Sequence, residues 1–348
     1  MKFKIPFLKK KDSKNAERKN LESQTKNWAG DDFDTSIYTD KELSDMLENI
    51  SYVQDFLSQP DKSLITDPKT EFEYAIMYIQ KADIESFKKI IEEQSNLVNE
   101  KNSNYYDYSL LHYVVNSDIS IKDTLEIVEI LFSNGADANI KDDALCTSLH
   151  DAAEYRNIEV MDLLLKNGAD INSCDEDNGT PIFRALHMEE KNQVGKPYDK
   201  VQFLINNSAN INVVNQAYCT SVYVAIDNFH EDIAKLLVEN GAVLDNRITK
   251  SHSPLIASLE SADAKMTEYL LQHGALLNVS DMVCIPEDNG MTPLHLASLW
   301  GYVEDIKVML KYGADPTIKD KKGKTALDYA KEKGYAEIVA LFMNQSKE

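Results

Sequence analysis

The sequence predicts an all-α fold, a solenoid of stacked helix-turn-helix units with hairpin loops between them. Three observations lead to this prediction. Residues 288–320 contain the turn, helix and closing-glycine signals of one complete unit. The N-cap position of that unit recurs seven times along the chain, and the closing glycine recurs with it. A unit of about 33 residues that repeats in phase indicates a stacked array rather than one globular core.

The complete unit reads DNGMTPLHLASLWGYVEDIKVMLKYGADPTIKD. The Asn-Gly pair near its start suits a hairpin tip, because glycine and asparagine tolerate positive φ. Thr292 is a good N-cap, and Pro293 suits the first helical position, where its missing N–H would have no partner. Gly301 is expected to end this first helix, and Gly313 to end a second, apolar helix.

The spacing of the copies is stronger evidence than the motif. Successive N-cap residues are 38, 33, 40, 33, 39 and 33 residues apart, so three gaps equal the period and three exceed it. In the slot of the closing glycine, the third copy has Ser208 instead. The longer gaps predict insertions at Asn116–Asp123 and Met188–Tyr198, between paired helices, and at Val279–Glu287, in a hairpin loop. The seven N-cap residues are Ser109, Thr147, Thr180, Thr220, Ser253, Thr292 and Thr325.

The T-P-L-H-L-A sequence and the G-A-D that ends the unit closely resemble the ankyrin repeat. The resemblance implies an ankyrin-repeat solenoid for the whole array. It also implies a structural role for His112, His150 and His295, which stand three residues after an N-cap and would bond to backbone in neighbouring turns. His230 falls in the slot between paired helices. No histidine is placed with Cys or acidic residues at metal-ligand spacing.

Four regions are predicted along the chain. Residues 1–38 form a basic arm that has little to bury and is expected to be disordered. Residues 39–69 form a short helical segment that begins with a capping-box pattern. Residues 70–103 carry two apolar helices without the T-P-L or G-A-D signals, which predicts a degenerate capping repeat. Residues 104–348 hold the seven ankyrin repeats.

Charge and composition limit the function. The net charge is −21, although residues 1–20 are basic. An acidic body is expected to repel nucleic acid and to attract a basic protein partner, and solubility alone is the other explanation of the charge. No run approaches the roughly 18 apolar residues of a membrane span, and no export signal is recognisable. A cytoplasmic, monomeric protein with four separate, reduced cysteines is therefore expected.

The sequence contains no catalytic motif. The phosphate-binding G-x-x-x-x-G-K-[ST], the dinucleotide-binding G-x-G-x-x-G and the nucleophile motif G-x-S-x-G are all missing. A stack of short helix pairs rarely forms the pocket that paired carboxylates need for acid–base chemistry. The chain is therefore predicted not to be an enzyme and to use no cofactor or metal.

The resemblance implies that a partner meets the concave face, which hairpin tips and first helices form in ankyrin arrays. Aromatic residues are candidate anchors on this face, because the family consensus there is small or polar, and nearby acids are candidate steering charges. The candidate partner-binding residues are Tyr105, Tyr106, Tyr108, Glu154, Tyr155, Asp177, Met188, Asp227, Met291, Leu299 and Trp300.

Two classes of function stay open. The first is a non-catalytic interaction protein that binds a protein partner through the concave face; an acidic inhibitor with an immunity-like role belongs to this class. The second is an adaptor or effector whose N-terminal segment targets a membrane or a second partner. Apolar residues among the lysines at the start of the chain are the feature that suggests the second class.

Overall fold

The structure is a computed structural model that describes residues 70–103, 105–156, 158–186, 196–245, 252–279 and 290–345. The basic arm predicted for residues 1–38 and the helical segment predicted for residues 39–69 lie outside these ranges and stay predictions. The hairpin insertion after Val279 also lies outside them, as do residues 187–195 of the second insertion.

The described residues form sixteen α-helices in eight consecutive pairs. In each pair a first helix is followed, after a turn, by a second helix. The pairs are α1 (Glu71–Lys81) and α2 (Ile84–Glu93), α3 (Leu110–Asn116) and α4 (Ile121–Ser133), α5 (Ser148–Tyr155) and α6 (Ile158–Lys166), α7 (Pro181–Leu186) and α8 (Pro197–Asn206), α9 (Ser221–Asp227) and α10 (Glu231–Glu239), α11 (Pro254–Glu260) and α12 (Ala264–Gln272), α13 (Pro293–Trp300) and α14 (Val303–Lys311), and α15 (Ala326–Lys333) and α16 (Ala336–Gln345).

The helix pairs are stacked, as the sequence predicts. Each first helix packs against the first helix of the next pair, from α1 through to α15. Second helices form a parallel layer, in which α2 contacts α4 and α4 contacts α6. One continuous apolar core runs through the stack, from Phe72 on α1 to Phe342 on α16. The predicted solenoid of stacked helix-turn-helix units is therefore confirmed.

The beginnings and ends of the helices follow from local chemistry. All seven predicted N-cap residues directly precede a first helix. After five of the second helices the chain reverses through a left-handed glycine; Gly135, Gly168, Gly241, Gly274 and Gly313 have φ between 87° and 90°. Ser208 takes the same role with a φ of 68°. The third repeat therefore makes the turn with a side chain that disfavours it.

Buried histidines stabilise the first helices. The backbone N–H and the hydroxyl of Ser109 lie 3.3 Å and 2.8 Å from His112 Nδ1, so Nδ1 accepts and Nε2 carries the proton. Nε2 then donates to the carbonyl of Cys146 in the next repeat, at 3.2 Å. Burial lowers the pKa of His112 to about 4, so the ring is neutral at pH 7. His150 and His295 bond to Thr147 and Thr292 in the same way, which confirms the structural role.

The region predicted as a degenerate capping repeat forms the α1–α2 pair. Thr70 begins α1 with a complete capping box, in which its hydroxyl accepts from Glu73 N and the Glu73 carboxylate accepts from Thr70 N. The predicted apolar face of α1 is buried. Between this pair and α3 lies a two-stranded antiparallel hairpin, β1 (Lys101–Asn102) and β2 (Tyr108–Ser109).

The sequence predicts that the first insertion, Asn116–Asp123, lies in the turn between paired helices. In the structure it lies partly in the turn and partly in a helix. The turn between α3 and α4 does contain extra residues, since α3 ends at Asn116 and α4 begins at Ile121. However, α4 has 13 residues where α6 has 9, so part of the added length is helical. Helix propagation satisfies each added backbone group, which a longer loop would leave to water.

Asparagine side chains connect successive repeats next to the closing glycines. Asn139 Nδ2 donates to the carbonyl of Gly168 at 2.9 Å, and Asn139 Oδ1 accepts from the backbone N–H of Asp170 at 2.7 Å. The same pair of bonds joins Asn99 to the Gly135 turn and Asn278 to the Gly313 turn. We call this set the asparagine ladder. It fixes the relative position of adjacent repeats at three junctions of the stack.

Candidate partner-binding face

The hairpin tips share one turn. In the second hairpin, Asp142 Oδ1 accepts the backbone N–H of Cys146 at 2.7 Å, and in the fourth, Asn215 Oδ1 accepts that of Cys219 at 2.8 Å. In six of the seven repeats, the residue two positions before the N-cap is described and adopts a left-handed conformation; we call this position the tip slot. The tip-slot residues and their φ values are Asp107 (54°), Leu145 (60°), Asn178 (57°), Tyr218 (58°), Gly290 (65°) and Gly323 (76°).

Two tip slots hold bulky apolar side chains in solvent. Leu145 is 46% exposed and Tyr218 is 56% exposed. A left-handed conformation costs an ordinary L-residue roughly 1–2 kcal/mol, because Cβ approaches the following carbonyl oxygen. Glycine and asparagine avoid most of this cost. Leu145 and Tyr218 therefore combine backbone strain with exposed apolar surface, and neither property stabilises the fold.

The first hairpin places Tyr106 in a similar situation. Tyr106 and Asp107 have φ values of 50° and 54°, and the N–H of Tyr108 donates to the carbonyl of Tyr105 at 3.1 Å. Two positive φ values inside such a turn define type I′, which normally contains Asn and Gly. Tyr106 is 50% exposed. The tip thus presents an aromatic ring from a turn that favours small residues.

Other aromatic rings support Tyr106 from below. The Tyr105 ring lies 4.9 Å from that of Tyr106, with their planes at 77°, and is stacked at 5.6 Å on Tyr113. The hydroxyl of Tyr113 accepts a 2.9 Å hydrogen bond from Asn102 Nδ2. Edge-to-face and offset contacts at these distances favour one ring orientation. Tyr106 is therefore held in place before any partner arrives.

Backbone hydrogen bonds join the tips into one row. Asp143 N donates to the carbonyl of Tyr106 at 3.0 Å, and Glu176 N donates to that of Ala144 at 2.9 Å. The row continues from the third to the fourth tip and then to the fifth, where His252 N donates to the carbonyl of Tyr218 at 2.6 Å. We call these connected tips the tip row. Its apolar side chains keep a fixed spacing, set by the stacking of the repeats.

Exposed carboxylates lie between the apolar residues of the tip row. Asp143, Glu176 and Asp177 are all exposed. Within the part of the chain that the structure describes, no lysine or arginine forms an ion pair with any of them. The seventh tip differs, because exposed Lys321 and Lys322 precede its glycine. The tip row, which runs from the first tip to the fifth, is therefore acidic, whereas the seventh tip is basic.

Behind the second and third tips lies a buried cluster of charged groups. Arg184 on α7 donates to Asp175 Oδ2 at 2.8 Å and lies 3.6 Å from Glu154 Oε2 on α5. Lys200 on α8 is buried and donates to the carbonyl of Glu154 at 2.9 Å. Burial lowers the pKa of Lys200 to about 8, although the nearby Glu154 charge acts in the opposite direction. These contacts join α5 to the third repeat.

Two further carboxyl groups in this region have raised pKa values. Burial, with the nearby Asp142 charge, raises the pKa of Asp151 to about 8. Asp151 Oδ2 accepts a 2.8 Å hydrogen bond from Asn116 Nδ2, which opposes the shift without reversing it. Burial also raises the pKa of Asp142 to about 6. Asp151 is therefore mostly protonated at pH 7 and adds no negative charge to the face.

Several candidate residues are not exposed. Tyr108 and Met291 are only 6% and 4% exposed, because the side chain of the residue just before the N-cap packs towards the stack. Predicting them as direct contacts was therefore wrong. The Glu154 side chain is 12% exposed and lies beside Arg184, so its prediction as a free steering charge was also wrong.

The other candidate residues vary in exposure. Tyr106, Asp177 and Asp227 are exposed, whereas Tyr105 and Tyr155 are half-buried. Leu299 and Trp300 at the end of α13 are partly buried against the core, and the Trp300 ring lies 5.8 Å from that of Tyr302. Met188 lies outside the described residues.

Leu145 and Tyr218 are the two exposed apolar tip residues that the sequence interpretation missed. The sequence does contain a signal for the exposure of these two residues. Both stand two residues before an N-cap, where the sixth and seventh repeats have Gly290 and Gly323. A bulky residue in a slot that another copy fills with glycine indicates either strain or exposure.

The described residues offer no site for a metal and no membrane-crossing helix. Among them, no group of three or more His, Cys, Asp or Glu side chains is arranged to hold a metal ion. None of the helices in the described ranges is long and apolar enough to cross a membrane. Cys146, Cys174 and Cys219 are free thiols.

Comparison with known families agrees with the repeat geometry. A family model described as ankyrin repeats in three copies matches residues 72–175, 111–215 and 191–281. A second, described as ankyrin repeats in many copies, matches residues 284–330. The chain belongs to the ankyrin-repeat family. Membership supports a protein–protein interaction module as the general role of the array.

Individual ankyrin-repeat proteins match only parts of the chain. The putative E3 ubiquitin-protein ligase XBAT34 of Arabidopsis thaliana is 32% identical over 34% of this chain and 31% of its own length. The B-cell lymphoma 3 protein homolog of Mus musculus is 30% identical over 38% of this chain and 29% of its own length. The chain thus spans less than a third of these relatives.

A solved structure shows the same fold. The crystal structure of the ankyrin repeat domain of Bcl-3 has a TM-score of 0.53 and 24% sequence identity. The match covers 66% of this chain and 97% of that domain.

Proposed function

We propose that this protein is a non-catalytic interaction protein that binds a protein partner through the tip row and the adjoining first helices. One observation carries the proposal. Seven large apolar side chains are exposed among the described residues, and three of them, Tyr106, Leu145 and Tyr218, lie on the tip row. Exposed aromatic and aliphatic anchors on a rigid support are what a protein interface needs at its centre.

The charges favour a basic partner. The chain has a net charge of −21, and Asp143, Glu176 and Asp177 add exposed carboxylates beside the apolar anchors. Complementary charge raises the rate of encounter and excludes acidic competitors. In its more specific form the proposal is a cytoplasmic, monomeric, acidic inhibitor of a basic protein, with an immunity-like role.

The test is capture of partner proteins from a lysate of the source organism. The immobilised full chain should retain at least one protein, and the Tyr106→Ala, Tyr218→Ala double variant should lose it. Tyr198→Ala is the matched control, because Tyr198 is 36% exposed on α8, a second helix away from the tips. If the double variant captures the same proteins as the parent, the tip row is not the interface.

A second variant separates this proposal from the adaptor hypothesis. A chain that lacks residues 1–65 keeps every helix pair described above. Partner capture should survive this deletion if the tip row binds the partner. Loss of capture, with the melting temperature unchanged, would instead assign binding to the N-terminal segment.

A further inference from the structure

The tip row also indicates the shape and charge of the segment that it binds. We infer that the row takes an extended, polyproline II-like polypeptide segment, in which basic residues alternate with apolar residues that recur every third position. The inference rests on the proposed function and names the kind of partner for that same face. Three features of the structure lead to it.

The first feature is that the fold does not need its bulky tip residues. Gly290 and Gly323 make the same left-handed turn in the sixth and seventh repeats. Leu145 and Tyr218 make it with strained backbones and with about half of each side chain in solvent. Strain of this kind concentrates at binding sites. The side chains therefore serve a contact outside the chain.

The second feature is the spacing of the apolar tips. Helices in contact are about 8–10 Å apart, so successive tips are separated by about the same distance. A polyproline II helix rises about 3.1 Å per residue with three residues per turn, so one face returns about every 9.3 Å. The two periods agree. From Tyr106 to Tyr218 there are three steps, which correspond to about nine residues of such a segment.

The third feature is the chemistry of the row. Tyrosine rings at the first and fourth tips suit proline and aliphatic side chains, because aromatic surfaces are the usual contact for polyproline II segments. Asp143, Glu176 and Asp177 lie between these anchors and are exposed. Lysine or arginine at the intervening positions of the segment would pair with them.

The test uses fluorescence anisotropy with the full chain and three labelled ten-residue peptides. The probe contains Leu-Lys-Pro three times, followed by Leu. The first control replaces each Lys with Glu, and the second has the composition of the probe in a shuffled order that breaks the three-residue period. The probe should bind at least ten-fold more tightly than either control. Equal affinity for the probe and the acidic control would overturn the charge assignment; equal affinity for the probe and the shuffled control would overturn the spacing.

Tip variants show where the probe binds. Leu145→Gly and Tyr218→Gly should each weaken probe binding at least five-fold while the melting temperature stays the same or rises, since glycine removes the backbone strain. Phe229→Gly is the matched control. Phe229 is 78% exposed with a φ of 59°, but it lies in the turn between α9 and α10 rather than on a tip. Its replacement should leave probe binding unchanged.

The inference and the proposed function fail in different ways. If lysate capture depends on Tyr106 and Tyr218 but the probe binds no better than its controls, the partner is not an extended basic segment, and the proposed function stands. If Leu145→Gly and Tyr218→Gly lower the melting temperature by several degrees, these side chains serve the fold, and the inference is wrong.

Discussion

The N-terminal and C-terminal hairpins use the same turn with different residues. In the second and fourth hairpins the left-handed tip slot holds Leu145 and Tyr218, whereas in the sixth and seventh it holds glycine. The charges differ as well, because Glu176 and Asp177 lie at the third tip and Lys321 and Lys322 at the seventh. Since the glycine tips make the turn at the lowest conformational cost, they show what the fold alone requires.

Core residues and tip residues therefore have different roles: core residues stabilise the fold, and tip residues form a surface. Buried leucines form part of the core in both halves: Leu164 and Leu294 are 0% and 1% exposed. The tips are filled differently. A repeat protein can vary its tips without disturbing the stack, because each repeat contacts only its neighbours.

The largest expected effect tests whether the two halves are equally well packed. Leu164→Ala and Leu294→Ala should each lower the free energy of unfolding by about 2–5 kcal/mol, as a buried leucine leaves a cavity. Amide hydrogen exchange should show the lost protection first in the repeats next to each substitution. A uniform loss along the chain would contradict nearest-neighbour stabilisation.

A smaller effect depends on pH and belongs to the N-terminal half. The pKa of Asp151 is about 8 in the folded chain, above its unfolded value of about 3.9. Its stabilising contribution is therefore complete below the unfolded pKa and is lost as pH rises through the folded one. Between pH 6.5 and 7.5 the contribution of Asp151 to the free energy of unfolding should fall by about 1.4 kcal/mol, the equivalent of one pH unit.

Other groups also affect stability near this window, so the contribution of Asp151 has to be measured against a variant. The contribution of His112 to the free energy of unfolding has the opposite pH dependence. Because its pKa is lowered to about 4, stability is lost as pH falls below about 6.5. Lys200, with a pKa lowered to about 8, changes stability mainly above the window. Asp151→Asn should remove this contribution, so the slope of the free energy of unfolding against pH should be less negative than in the parent chain, as measured by chemical denaturation. Asp177→Asn, at an exposed tip, should preserve it.

The next prediction measures the strain at the tip slot directly. At Gly323, φ is 76° and an added Cβ would meet no atom within 4 Å, so Gly323→Ala changes only the backbone preference. This substitution should lower the free energy of unfolding by about 1 kcal/mol in chemical denaturation. If Gly323→Ala is neutral, the slot is not strained and the contrast between the two halves loses its basis.

The smallest effect concerns association with a captured partner. Asp177→Lys should lower the association rate a few-fold at low salt, with little change in dissociation, because an exposed tip charge steers the encounter. Raising the ionic strength past about 0.15 M, where the Debye length is about 8 Å, should reduce the difference between this variant and the parent. Lys322→Glu, at the seventh tip, is the opposite charge change. An equal effect of both substitutions would mean that the acidic tip row and the basic seventh tip do not differ in their effect on association.

Most of the repeat architecture could be predicted from the sequence because its signals are local. N-caps, closing glycines and helical periodicity act within a few residues, and even Ser208 was recognised by its place in the spacing. The contacts of the site are not local. The approach of Arg184 to Glu154 depends on how α5 stacks on α7, and neither helix reveals this alone. Burial of Tyr108 and Met291 depends on the direction of a side chain beside a turn, which residue type does not determine.

The asparagine ladder has a consequence for the behaviour of the array under tension. Its hydrogen bonds join adjacent repeats at three junctions, so a force applied at the two ends of the stack loads these junctions in series. The weakest junction then opens first, and each released unit of 33 residues adds roughly 110 Å of extended chain. The protein would lengthen in steps and lose its binding tips one at a time rather than all together.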